Sequence, residues 1–182
     1  LKKTEFESTL MINTDYPIES LNILLNEDCL SDRFHSLISI RENLIIGLKS
    51  FGCVTKSDVS RMSDDELAGI MLHDEVTVKL FRRFLTIYDP KPQKFKEITK
   101  LTSDPAEQAA FMELYHLPGV GFTRAHLYYH SGYKSLQDFL KTTVEEVLSK
   151  TAMTISSKNL SCIVPLPKEV RTHIAVAKAF SR

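Results

Sequence analysis

Residues 52–67 and 132–147 spell one pattern twice, eighty residues apart and without a gap: Gly-x-x-[Ser/Thr]-x-x-Asp-[Val/Phe]-x-x-x-[Ser/Thr]-x-[Asp/Glu]-Glu-[Leu/Val]. A repeat constrains the fold before any local propensity does, because both copies call for the same kind of supersecondary unit. The pattern itself is helical punctuation. Gly52 and Gly132 suit a left-handed helix end. Thr55/Asp58, Ser63/Glu66, Ser135/Asp138 and Thr143/Glu146 each stand three apart, the spacing of a capping box that starts a helix.

The segments between these marks also read as helix. Pro17 opens an amphipathic lead-in helix with Ile18, Leu21, Leu24 and Leu25 on one side. Phe34, Leu37, Ile38, Leu44, Ile45 and Leu48 keep helical spacing up to Gly52. Val78, Leu80, Phe81, Phe84, Leu85 and Ile87 predict a longer closing helix, preceded by a polar turn at His73, Asp74 and Glu75 and stopped by Pro90. Residues 91–104 hold four lysines and few large apolar side chains among prolines, which predicts a linker. Asp104 then caps a helix with Pro105 at its first position. After Val144 a short helix is expected, then a loop over residues 152–167 with one helical turn. The final helix places Val170, Ile174, Ala175 and Ala177 inward. No stretch alternates as a strand does.

The expected architecture is therefore all-α: two tandem modules of short helices. Residues 1–30 form a lead-in, 31–90 the first module, 91–104 the linker and 105–182 the second module.

Composition narrows the function classes. No apolar run approaches the roughly 20 residues that span a bilayer, so no membrane partner is expected. Cys29, Cys53 and Cys162 are odd in number and form no Cys-x-x-Cys pair, which argues against a disulfide framework or a thiolate zinc site and predicts a reducing cytoplasm. Leu1 stands where an initiator Met would, which predicts that the sequence starts within a longer protein. The formal charge is zero, yet residues 1–90 carry 10 Lys/Arg against 15 Asp/Glu, and residues 91–182 carry 13 against 8. Nucleic acid, if bound, is expected at the second half.

Just ahead of the second copy stands Leu114-x-x-Leu117-Pro118-Gly119-Val120-Gly121-x-x-Arg124-Ala125. This is the sequence form of a helix-hairpin-helix turn, and only the second module keeps it. Together with Gly132, Asp138, Glu146 and the closing Pro165-Leu-Pro-Lys, it makes residues 34–88 and 111–180 resemble a bacterial tandem helix-hairpin-helix family (SAM-like) known as a domain of unknown function. Residues 37–44, Leu-Ile-Ser-Ile-Arg-Glu-Asn-Leu, also resemble the opening of the C-terminal domain of the RNA polymerase alpha chain. In that resemblance Arg41 matches the arginine that reaches DNA. The family's later Gly-Lys-Lys-Ser turn is replaced by His73-Asp-Glu-Val-Thr77, which places acids where phosphate would dock.

A glycine hairpin ahead of a helix can present consecutive amides and the positive end of the helix dipole to an anion. Gly119, Val120, Gly121, Thr123 and Arg124 are therefore the candidate nucleic-acid-binding residues, with Lys134 as outlying support. Such contacts hold DNA or RNA backbone without reading sequence. The alternative is a protein-interaction or scaffolding domain of a longer protein, for which the same hairpin only joins helices. His126 and His130, four apart on one helix, have a metal-compatible spacing, but no carboxylate or cysteine joins them in a recognised pattern, so no metal is expected. The paired acids at 64–66 and 145–146 read as helix-start residues. No catalytic motif, cofactor or small-molecule substrate is indicated, and the expected function is non-enzymatic.

Overall fold

A computed structural model describes residues 14–72 and 74–181. They form an all-α fold, with no strand among the described residues. The chain divides into two compact units, Thr14–Asp89 and Pro90–Arg182. None of the described helices is long and apolar enough to cross a membrane. All three cysteines are free thiols.

In the Thr14–Asp89 unit, a 3-10 turn at Ile18–Ser20 runs into α1 (Leu21–Leu24). After another 3-10 turn, Asp32–Leu37, come α2 (Arg41–Ser50), α3 (Lys56–Arg61), α4 (Asp64–Met71) and α5 (Glu75–Thr86). The lead-in is not a separate segment. Ile18 donates its amide to the Val54 carbonyl and Lys56 donates to Tyr16, so residues 16–18 pair with the start of α3. Tyr16, Leu21, Phe34, Leu44, Leu48, Val59, Leu67 and Phe81 are fully enclosed. Asp74 caps α5 through the Thr77 amide, while His73 and the first part of the lead-in lie outside the described residues.

The Pro90–Arg182 unit contains α6 (Pro92–Leu101), α7 (Pro105–Leu114), α8 (Phe122–His130), α9 (Leu136–Leu140), α10 (Val144–Lys158) and α11 (Pro167–Phe180). Residues 91–104, whose composition predicts a linker, instead hold α6. Pro92 sits in its first turn, where a missing N–H costs nothing, and Phe95 and Ile98 turn one face inward. Ile98 is buried and Phe95 meets the rings of Tyr115 and His116. The loop expected over residues 152–167 is likewise shorter. α10 runs to Lys158, and the Thr151 and Thr154 hydroxyls donate to carbonyls within the same helix. Asn159, in the left-handed region at φ 50°, ends it. In α11 the inward face carries Val170, His173, Val176, Ala177 and Phe180, whereas Ile174 and Ala175 are only half-buried. The rotation follows from His173, a polar residue that finds its partners inside.

The repeated pattern forms the same local structure twice. Gly52 (φ 89°) and Gly132 (φ 96°) both end a helix in the left-handed region. In each case two crossing bonds close the turn: Cys53 N–H to Leu48 C=O with Gly52 to Lys49, and Tyr133 to Tyr128 with Gly132 to Tyr129. This is the Schellman arrangement. One carboxylate oxygen then gathers two successive amides, those of Val54 and Thr55 at Asp58 and those of Lys134 and Ser135 at Asp138, all within 2.8–3.0 Å. Ser63 with Glu66 and Thr143 with Glu146 exchange reciprocal bonds at the next helix start. These acids serve the helices that they begin.

Candidate nucleic-acid interface

The bend between α7 and α8 is set by its own residues. Leu117 accepts from the Val120 amide across a four-residue turn, with Pro118 and then Gly119 at φ 74° in the two central positions. That is a type II turn, in which the third residue needs positive φ and therefore favours glycine. Gly121, at φ −116°, has no such need and serves as the N-cap of α8, with no side chain capping the helix. Val120 is fully buried and anchors the turn, while Gly119 and Thr123 are exposed.

Three side chains hold the main-chain carbonyls of this region. His173 Nε2 lies 2.8 Å from the Pro118 oxygen, and Tyr128 Oη lies 2.8 Å from His173 Nδ1. A carbonyl can only accept, so Nε2 carries the hydrogen and Nδ1 receives the tyrosine O–H. Burial pushes the Tyr128 hydroxyl up, keeping it a donor. It also pushes His173 down to about 4, which keeps the ring neutral. Lys94 donates to the Val120 carbonyl and lies over the Tyr115 ring. Burial and the neighbouring Lys91 hold its ammonium below the usual lysine value. Arg124 donates through Nη1 to the Ile163 carbonyl at 2.9 Å.

Two further Arg124 N–H groups meet Glu169, with Nε to Oε1 at 2.8 Å and Nη2 to Oε2 at 3.3 Å. This two-point pair is mostly enclosed, with 16% of the arginine side chain and 28% of the glutamate exposed. The spacing points Arg124 toward a phosphate, but the Nε–Nη2 edge of its fork is taken by Glu169. Residue spacing gave no sign of this, because Glu169 is forty-five residues away. The Leu166 amide also donates to Glu169.

The main-chain donors differ. Among the described residues, the amides of Gly119, Gly121, Phe122, Thr123 and Arg124 meet no acceptor. These five residues line an open cleft of about 510 Å³ whose other walls are Ser161, Cys162, Ile163 and Glu169. Phe122 is half-buried, edge-on to Phe111 and stacked with His126. Lys134 lies over the Tyr129 ring, 5.0 Å from its centroid. In the other unit, Arg41 donates to the Leu25 carbonyl at 2.8 Å and closes the end of α1.

The α7 and α8 helices also gather side chains that the sequence left apart. Glu107 of α7 lies beside His126 and His130 of α8, with His130 Nε2 3.4 Å from a Glu107 oxygen. Burial lowers the His130 pKa, with help from His126 and Lys158, against the opposing pull of Glu107. His116, at the end of α7, is pushed down to about 4 by burial and by Lys94.

Comparison of the chain with protein-family models, with curated proteins and with solved structures finds no match.

Proposed function

We propose that the Pro90–Arg182 unit holds polynucleotide backbone at the Gly119–Gly121 bend without reading sequence, as a binding module and not an enzyme. The observation that carries this reading is the division of roles at the bend: its carbonyls are held inward by His173 and Lys94, while amides at the start of α8 have no internal partner. A phosphate oxygen satisfies such donors and gains from the helix dipole. The excess of Lys/Arg in residues 91–182 supplies weak long-range attraction. The duplicated turn and the helix-hairpin-helix resemblance support two related modules, of which only the second keeps the hairpin. The role proposed for Arg124 differs from direct contact: it holds the loop at residue 163 against α8, and Glu169 cancels its charge.

Two substitutions test this. Gly121→Val is expected to leave the fold intact, because φ is ordinary there and an added Cβ meets nothing within 4 Å. The added side chain stands where a phosphate must approach the main chain. Binding to short duplex or single-stranded DNA at ~50 mM salt, where backbone contacts are strongest, should drop at least roughly tenfold while circular dichroism stays unchanged and melting falls only by the few degrees that valine costs at an N-cap. Wild-type protein that binds neither at that salt rules the reading out.

Glu169→Gln keeps an acceptor for Arg124 and Leu166 but removes a negative charge from the cleft wall. Affinity should rise roughly three- to tenfold, and the dependence on log salt should steepen by roughly one phosphate's worth, about 0.7–0.9. An unchanged salt slope would place the nucleic acid elsewhere.

A protein partner is the second reading. Ile163 and Leu166, 76% and 67% exposed, stand close to Arg124 and Glu169 and favour an apolar contact. That surface would be indifferent to salt and insensitive to Glu169→Gln.

A further inference from the structure

From the geometry of α7 and α8 we propose a binding site for one zinc-class divalent ion, formed by Glu107, His126 and His130. The three side chains each offer one donor atom, and these atoms all lie within 4.8 Å of one another. A tetrahedral zinc ion with nitrogen and oxygen ligands at about 2.0–2.1 Å sets its donors about 3.3 Å apart. Glu107 and His130 already stand at 3.4 Å. The two histidines are four apart on α8 and share one face of the helix, with ring centroids 4.3 Å apart. Ligand spacing requires the third donor to close from within 4.8 Å by side-chain rotation.

The surroundings resemble those of a ligand set more than of a chance surface cluster. All three side chains are half-buried. Glu107 is steadied from behind, because the Thr102 hydroxyl donates to its other carboxylate oxygen at 2.6 Å. Thr102 is itself fixed by Gln108, which donates to its carbonyl. Outer contacts of this kind orient a ligating carboxylate and raise affinity. Phe122 stacks on His126 and limits where that ring can turn.

Two imidazoles and one carboxylate suit zinc, cobalt(II), nickel(II) or copper(II), and not calcium or magnesium, which call for more oxygen ligands. Three protein ligands leave a fourth position for water or an incoming anion. Because Glu107 comes from α7 and both histidines from α8, a bound ion ties together the two helices that flank the bend at residues 117–121. The site does not depend on nucleic-acid binding at that bend.

The test uses the tag-free full chain, stripped of metal and titrated with Zn²⁺ against a chromophoric chelator. One equivalent is expected to bind with micromolar or tighter affinity, with a rise in melting temperature, and excess Mg²⁺ should not compete. Co²⁺ should give a visible absorption band that is lost on adding Zn²⁺. Glu107→Gln and His126→Ala should each weaken binding at least roughly tenfold, whereas Cys162→Ser should leave it unchanged. If His126→Ala fails to fold, Glu107→Gln decides alone. Absence of saturable binding at ~100 µM Zn²⁺, or full affinity in Glu107→Gln, overturns the proposal.

Discussion

Replacing His173 with Ala is expected to lower the stability of the Pro90–Arg182 unit by roughly 3 kcal/mol. The substitution opens a cavity where a fully enclosed ring stood. It also leaves the Pro118 carbonyl and the Tyr128 hydroxyl without the partner that now lies 2.8 Å from each. An abandoned buried polar group costs its full desolvation penalty, which exceeds the net value of the bond that was lost. For a unit of this size the melting temperature should fall on the order of 15 °C. His173→Gln sets an amide N–H close to the former Nε2 and should recover part of the loss. A fall below ~1 kcal/mol in the alanine variant would show that the bend does not depend on this ring.

The second large effect is an acid-side loss of stability beginning near neutral pH. His173 and His116 both have folded-state values pushed down to about 4, each first by burial. In the unfolded chain their values return to about 6.5. Between these two values the unfolded state binds protons that the native state refuses, so stability rises with pH across that window. The contribution is fully present above about pH 6.5 and is lost as the pH falls toward 4. At pH 5 the loss is roughly 2 kcal/mol for each ring by this linkage. Denaturant titrations from pH 7 to 4 should show it, and in His173→Gln the slope should fall by about half. A flat profile across that range would mean that both rings take up protons without cost. The lowered carboxylates of Asp58 and Glu146 act in the same direction, but only at lower pH.

Local chemistry was readable from the residues, and chemistry between distant segments was not. The two glycine turns and the caps at Asp58, Glu66, Asp138 and Glu146 depend on donors within a few residues, so a one-dimensional pattern carries them. The Pro118-Gly119 turn is equally local. Residues 91–104 misled because the prolines and lysines that suggest a linker also suit a helix whose first turn holds Pro92, and the apolar face is only Phe95 and Ile98. The extent of α10 was hidden for a related reason. Threonine and serine weaken a helix by competing for backbone groups, yet Thr151 and Thr154 make those bonds inside the helix and do not end it. In α11 apolar spacing alone does not select His173, since an enclosed ring is intelligible only once Tyr128 and Pro118 are known to flank it.

The same limit applied at the cleft. Arg124 carried the right charge at the right place, but its partner is forty-five residues ahead in α11. The place of Glu107 beside His126 and His130 is not legible in the sequence because it belongs to the preceding helix, and an i, i+4 histidine pair says nothing about what faces it.

Lys94 has a consequence for chemical modification. Acylation of a lysine that grips a phosphate directly subtracts a charge and weakens binding. Here the amine donates to a main-chain oxygen and lies over an aromatic ring, so acylation removes the cationic donor that the Val120 carbonyl accepts from. A mark at this position therefore works by deforming the loop, so its outcome would be registered as a change of shape before any change of charge.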